Sequence, residues 1–208
     1  GVAWSRPLGL PFAEAGRSKT SYPTIDDGPF QGLPLGGFGA GTIGRTYRGD
    51  FARWHLDIGQ HTYAPVWGDQ FSVWVQQGEN DQAQVLYTGR PDRDILGAWQ
   101  WEYPVGAGTY YALYPFAWYD YLPPDLPAHL TVEQFSPILP GNYRETSYPI
   151  GIFLWTVSNP TATPISVTVM FTWQDLASPN WLDALAGNVN RGREEHTPDA
   201  VSYTHLTL

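Results

Sequence analysis

Cysteine is absent from the 208 residues, which excludes disulfides, thiolate metal sites and a cysteine nucleophile and says little about redox compartment. Charge is scarce: 15% of residues are charged, against about 25% in an ordinary soluble domain. More of the surface than usual must therefore be uncharged or apolar, and such a surface suits a partner. Basic residues are the scarcer sign, 11 against 20 acidic, for a net charge of −9. A phosphate backbone would be repelled, so no nucleic-acid partner is expected. No apolar run reaches the roughly 18 residues of a membrane-spanning helix. The charged, apolar and small-residue succession of a signal peptide is also missing, which leaves the compartment open and leans toward the cytoplasm. The single methionine is Met170, inside an alternating apolar stretch, so residue 1 is expected to be a cut or processed end.

What is present is aromatic and apolar. Hydrophobic residues make up 42% and aromatic residues 15%, enough for a sizeable core in one domain. Residues 165–173 (ISVTVMFTW) place Ile165, Val167, Val169, Phe171 and Trp173 on one side, the two-residue period of a half-buried strand. Residues 150–157 (IGIFLWTV) are β-branched and aromatic on both faces, and the turn-rich stretch 158–164 between them predicts a hairpin with a long loop. Further strands are expected at 71–75, 84–88, 109–114 and 129–135, and a helix only at 181–190. Many short strands without alternating helices predict an all-β, antiparallel β-sandwich. Residues 1–25 read as an irregular segment.

Five glycines within nine positions, Gly36, Gly37, Gly39, Gly41 and Gly44, invite a nucleotide reading. Gly39, Gly41 and Gly44 satisfy G-x-G-x-x-G, a motif that requires a strand before it and a helix after it. Pro34 interrupts the upstream side and 45–54 has no helical apolar stripe. A Walker-type reading puts Arg45 where a flexible lysine is needed. The plainer reading is a backbone that turns sharply and approaches another surface closely. Glu102, Asp120, Glu133 and Glu145, with the Asp26–Asp27 and Glu194–Glu195 pairs, are the candidate carboxylates for glycoside hydrolysis. That chemistry needs two of them about 5–5.5 Å apart in a retaining enzyme, and they read instead as loop, turn and strand-edge residues. The five histidines have no helical i, i+4 spacing, and no metal or cofactor site is expected. Exposed Trp or Tyr could stack on sugar rings, which keeps a stand-alone carbohydrate-binding module as the alternative function.

Four ordered blocks resemble one family. They are 32–45 (GLPLGGFGAGTIGR) with 47–54 (YRGDFARW), then 111–121 (YALYPFAWYDY), 133–143 (EQFSPILPGNY) and 147–155 (SYPIGIFLW). The sequence is similar to the N-terminal domain of glycoside hydrolase family 116, the bile-acid β-glucosidase or non-lysosomal glucosylceramidase type. The resemblance spans about 26–176 and implies a β-sandwich leading into an (α/α)6 catalytic domain that carries a glutamate nucleophile and an aspartate acid/base. On that reading the chain holds no catalytic residue, its sandwich is truncated on the C-terminal side within 26–200, and its partner is that helical domain. A β-glucoside or glucosylceramide would then be bound only through the helical domain. The expected contact with it is Gly36, Gly37, Gly39, Gly41, Gly44, Arg45, Arg48, Arg53 and Trp54. The stretch 201–208 resembles no part of the family and reads as a non-native tail of translated adapter sequence.

Overall fold

The structure is a computed structural model that describes residues 3–10, 32–92, 96–173 and 200–207. Within them the elements run β1 (Trp4–Pro7), β2 (Gly32–Leu35), β3 (Thr42–Thr46), β4 (Phe51–His55), β5 (Thr62–Tyr63), β6 (Gln70–Gln77) and β7 (Asn80–Val85). They continue as β8 (Gly108–Leu113), β9 (Phe116–Tyr121), β10 (His129–Phe135), α1 (Tyr143–Thr146), β11 (Ile152–Ser158), β12 (Ser166–Trp173) and β13 (Ala200–Thr207). The chain is an antiparallel all-β sandwich, as its pattern predicts. A five-stranded sheet of order β1-β8-β9-β10-β11 and a four-stranded sheet of order β13-β12-β6-β7 form the main layers. A smaller sheet, β2-β3-β4-β5, shares their core.

The inward residues follow from alternation. In β12, Val167 and Val169 are buried and Phe171 and Trp173 pack against the same core, the side predicted for them. In β9, Ala117, Tyr119 and Tyr121 face inward, and in β10 Leu130, Val132 and Gln134 do. Pro34 cannot donate a ladder bond, and β2 that carries it is accordingly the edge of its sheet. Asn142 caps α1 by accepting from the Glu145 amide at 3.2 Å, while its side-chain amide donates to the Glu145 carboxylate at 3.0 Å.

Several expectations need correction. β11 and β12 do not pair as a hairpin: β11 pairs with β10 and β12 with β6, so the chain crosses between layers at 159–165. Both strands bury apolar residues in the same core, and facing layers satisfy that as well as adjacency does. A strand does precede the glycine cluster, because β2 leads into it, but β3 follows it where a nucleotide site would need a helix. Trp4–Pro7 pairs with Ala112–Thr109, so the N-terminal segment expected to be irregular contains a strand. The run expected at 84–88 is displaced toward 80–85. Beyond it the Thr88 amide donates to Arg48 O at 3.0 Å, and Tyr87 O accepts from the Tyr103 amide at 2.9 Å. The expected helix 181–190 lies outside the described residues. β13 lies beside β12, in register from Ala200↔Trp173 to Thr207↔Ser166.

Aromatic rings join the layers. Phe71 of β6 lies 4.5 Å from Phe171, 5.0 Å from Phe153, 5.1 Å from Trp155 and 6.1 Å from Phe51, ring centre to ring centre. It thereby touches all three sheets. Phe71→Ala should lower stability by roughly 3–5 kcal/mol, the range for truncating a buried phenylalanine. Urea unfolding followed by tryptophan fluorescence measures it, and a loss below about 1 kcal/mol would show that the layers do not depend on this ring.

Candidate functional site

The glycine loop and the β3–β4 turn are built around close backbone approach. A Cβ on Gly37 would sit 2.4 Å from the Ser147 carbonyl carbon, and the Phe38 amide donates to Thr146 O at 3.0 Å. The loop therefore approaches α1 of its own domain. Gly36 has φ +141° and donates from its amide to Ser136 Oγ at 2.7 Å. Gly49, at φ +104°, lies so close to the 86–87 backbone that a Cβ would meet Leu86 O at 2.1 Å. The tip of the loop is outside: Phe38 is 59% exposed.

Arg45 is wholly buried. Its Nε donates to Gly49 O at 3.0 Å and its Nη2 to the Tyr121 hydroxyl at 2.7 Å. The guanidinium carbon lies 4.1 Å from the Tyr119 ring centre, 4.9 Å from that of Phe71 and 5.9 Å from that of Phe51. Desolvated cation–π contacts of this kind are each worth up to about 2 kcal/mol. Nη1 finds no hydrogen-bond acceptor, so on that side the rings supply the compensation. The Tyr119 hydroxyl donates toward Thr46 O at 2.8 Å and Arg45 O at 3.0 Å, and the Tyr110 hydroxyl accepts from the Leu33 amide at 3.1 Å. Three phenols of the large sheet thus bind the small one. Burial raises Tyr119 and Tyr121, and pushes Tyr110 up to about 12, so all three stay neutral hydrogen-bonding groups.

Asp50 closes this network. It is 3% exposed, and desolvation raises its pKa; the Thr46 hydroxyl that donates to it and the charges of Arg48 and Arg45 pull the other way. A carboxyl raised by burial fits a general acid, but no sugar can reach this one.

The residues expected at a domain contact are divided between inside and outside. Arg45 and Trp54 are internal; the Trp54 indole donates to Ala64 O at 2.8 Å. Arg48 is half-buried, with its guanidinium 5.1 Å from the Tyr87 ring centre. Arg53 packs over Gly44 and donates to Gly32 O at 3.0 Å. The four described carboxylates singled out by the sequence each have a partner of their own. Glu133 accepts from the Trp118 indole at 2.6 Å, Asp120 meets His129, Glu102 lies 3.8 Å from Arg90, and Glu145 serves the α1 cap. Asp26, Asp27, Glu194 and Glu195 lie outside the described residues. A groove of about 370 Å³ beside β6 and β7 is lined by one carboxylate, Asp125.

His55 and His61 do meet, ring against ring at 86°, which their six-residue spacing did not announce. Among the described residues no group of three or more His, Cys, Asp or Glu converges on a point.

The comparison with known families agrees with this architecture. A family model described as beta-glucosidase 2, glycosyl-hydrolase family 116 N-term matches residues 32–206. The chain belongs to that family. The matched span of this family 116 N-terminal domain begins at β2 and takes in both the glycine loop and the Arg45 turn.

Two measurements test the network. Arg45→Ala leaves the Tyr121 hydroxyl and Gly49 O without their donor and opens a cavity, and should cost about 3–5 kcal/mol; Arg45→Met, which keeps volume and removes the charge, should cost less. A Met variant as stable as the wild type in urea unfolding, beside a destabilised Ala variant, would show that packing alone explains the site. For Asp50 the folded state holds the proton more tightly than an unfolded carboxyl, ordinarily near 3.8. Its contribution to stability is therefore fully present below that value and is lost as pH rises through the elevated folded value. Asp50→Asn should remove this term, so the wild-type melting temperature should gain on that of the variant as pH falls from 7 toward 4. A constant difference between the two would contradict the assignment.

Proposed function

We propose that this domain is the non-catalytic N-terminal part of a retaining hydrolase that removes terminal β-glucosides, of the β-glucosidase or glucosylceramidase type, and that it supports a separate helical catalytic part. The carrying observation is the state of the candidate acids among the described residues: Asp50, whose pKa burial raises, is sealed in the core, and Glu133, Asp120, Glu102 and Glu145 each have a partner of their own. Retaining chemistry needs a nucleophile and an acid/base on either side of one glycosidic bond, with a covalent glycosyl-enzyme between two steps and no cofactor. The family assignment supports glycoside hydrolysis as the chemistry, and the helical part would supply both carboxylates.

In this reading the glycine loop and the arginine turn have unequal roles. Phe38, Gly39 and Ala40 offer an exposed tip, whereas Arg45 and Trp54 stiffen the domain that presents it.

Purified 1–208 should give no turnover of aryl β-glucosides and no saturable heat with gluco-oligosaccharides. Hydrolysis that survives rigorous purification and vanishes when one of its own carboxylates is replaced would overturn the proposal. Saturable sugar binding lost on replacing an exposed Trp would favour a carbohydrate-binding module instead.

A further inference from the structure

On the outer face of the five-stranded sheet the polar alternation expected of a solvent-facing surface fails. Strand register sets Tyr111, Trp118, Glu133 and Leu154 side by side in one row. The next row is Leu113, Phe116, Phe135 and Ile152. Seven of these eight are apolar or aromatic, and none of them belongs to the fully buried core. Phe116 stacks on Trp118 with planes 18° apart and lies 5.0 Å from Phe135. Leu154 is 54% exposed and Leu113 42%.

Past the strand ends, Ile150, whose carbonyl accepts from Ser136 Oγ, Tyr148 and Phe38 are further exposed apolar residues of the adjoining loops. In the other direction the apolar surface ends in a polar row, Thr109, Asp120, Thr131 and Thr156, with Asp120 meeting His129. An apolar centre with a polar rim is the anatomy of a protein interface. Four strands about 4.8 Å apart and two rows each about 7 Å along the strands give roughly 270 Å², and contiguous apolar patches of a few hundred Å² are often functional.

We infer that this face is the seat of the hydrolase's helical catalytic part; the inference rests on the supporting role proposed above. Three observations choose that occupant. The two rows carry a single charged group, Glu133, to which the Trp118 indole already donates, so the face offers no cluster of charges for an ionic ligand. A sugar needs polar groups that converge around a ring platform, and these rows offer only the Tyr111 hydroxyl beside that occupied carboxylate; the extent suits a protein surface. The matched family is by its description the N-terminal portion of a glycosyl hydrolase, so a partner joined in the same polypeptide meets this face at high effective concentration. Three of the four sequence blocks, 111–121, 133–143 and 147–155, each deliver residues to these rows. Core packing accounts for only the inward half of those residues.

Cysteine scanning tests this, since the domain has no thiol of its own. Leu154→Cys and Leu113→Cys on the face, and Glu79→Cys on the distant β6–β7 turn, are introduced into the intact hydrolase and separately into 1–208. Maleimide labelling at each position is then followed by peptide mass spectrometry. Positions 154 and 113 should label at least tenfold more slowly than position 79 in the intact enzyme, and at comparable rates in 1–208. Equal rates in an active intact enzyme overturn the inference. Protection of 154 in isolated 1–208 that grows with its concentration overturns it in favour of a second copy of the chain. The supporting role is tested apart: if removing residues 1–200 from the hydrolase changes neither melting temperature nor kcat, that reading fails whatever the labelling shows. A destabilised deletion variant with free labelling at 154 keeps the role and rejects the face.

Discussion

A guanidinium without solvent constrains nearly everything around it. Burying an unpaired charge is expensive, and Arg45 is compensated by groups from every sheet: the Gly49 carbonyl in its own hairpin, the Tyr119 ring and Tyr121 hydroxyl from β9, and the Phe71 ring from β6. None of these can move independently. Gly49 must adopt φ +104° to bring its carbonyl to Nε and its Cα against the Leu86 carbonyl, a place where a Cβ would collide. β9 must hold Tyr119 and Tyr121 in adjacent inward positions, since Tyr119 fixes the Arg45 backbone and Tyr121 its side chain. The small sheet is thereby joined to the sandwich by polar contacts as well as apolar ones. Polar contacts specify register more sharply than hydrophobic burial, because each has one geometry.

The same arrangement explains the tyrosine content. A phenol crosses an apolar layer with its ring and still ends in a hydroxyl. Tyr110, Tyr119 and Tyr121 use that property to reach backbone or guanidinium groups of the small sheet. Tyr103 does so within its own region, donating to Ala107 O at 2.6 Å. Phenylalanine would fill these spaces and leave the Leu33 amide and Arg45 Nη2 without their phenol partners in a dry interior.

Much of the sandwich was legible because period two is a property of consecutive residues. The run 165–173 alternates cleanly, and its inward side is the one found. Pairing was less legible. Residues 150–157 and 165–173 look like hairpin partners, yet alternation says only that each needs an apolar face opposite, and a facing sheet supplies it equally well. The glycine cluster was legible as a close-approach device but not as to what it approaches. α1 lies about a hundred residues away in sequence, and its four residues carry no helical period. Arg45 is expected at the domain contact because nothing local distinguishes a buried arginine in a strand; its partners are 4, 26, 74 and 76 residues distant. Asp50 was missed for the same reason, since its desolvation is a property of the assembled layers.

The two faces of the large sheet make different demands on one set of strands. Inward positions are fixed by the Arg45 network and the ring cluster around Phe71, which together account for Tyr110, Ala117, Tyr119, Tyr121, Leu130, Val132, Phe153 and Trp155. Folding of this domain alone would be served as well by threonine, lysine or glutamate at the outward positions, and the row through Asp120 and Thr131 shows the strands accepting polar residues there. Tyr111, Phe116, Trp118, Phe135 and Leu154 are therefore more apolar than the domain's own fold requires, the excess on which the proposed docking face rests. An apolar side chain left in water loses roughly 25 cal/mol per Å² that burial would return, and an outward aromatic sheet face also invites association. Among the described residues this excess lies on the outward rows of the five-stranded sheet, which sets the surface proposed for the catalytic part apart from the interior that holds the domain together.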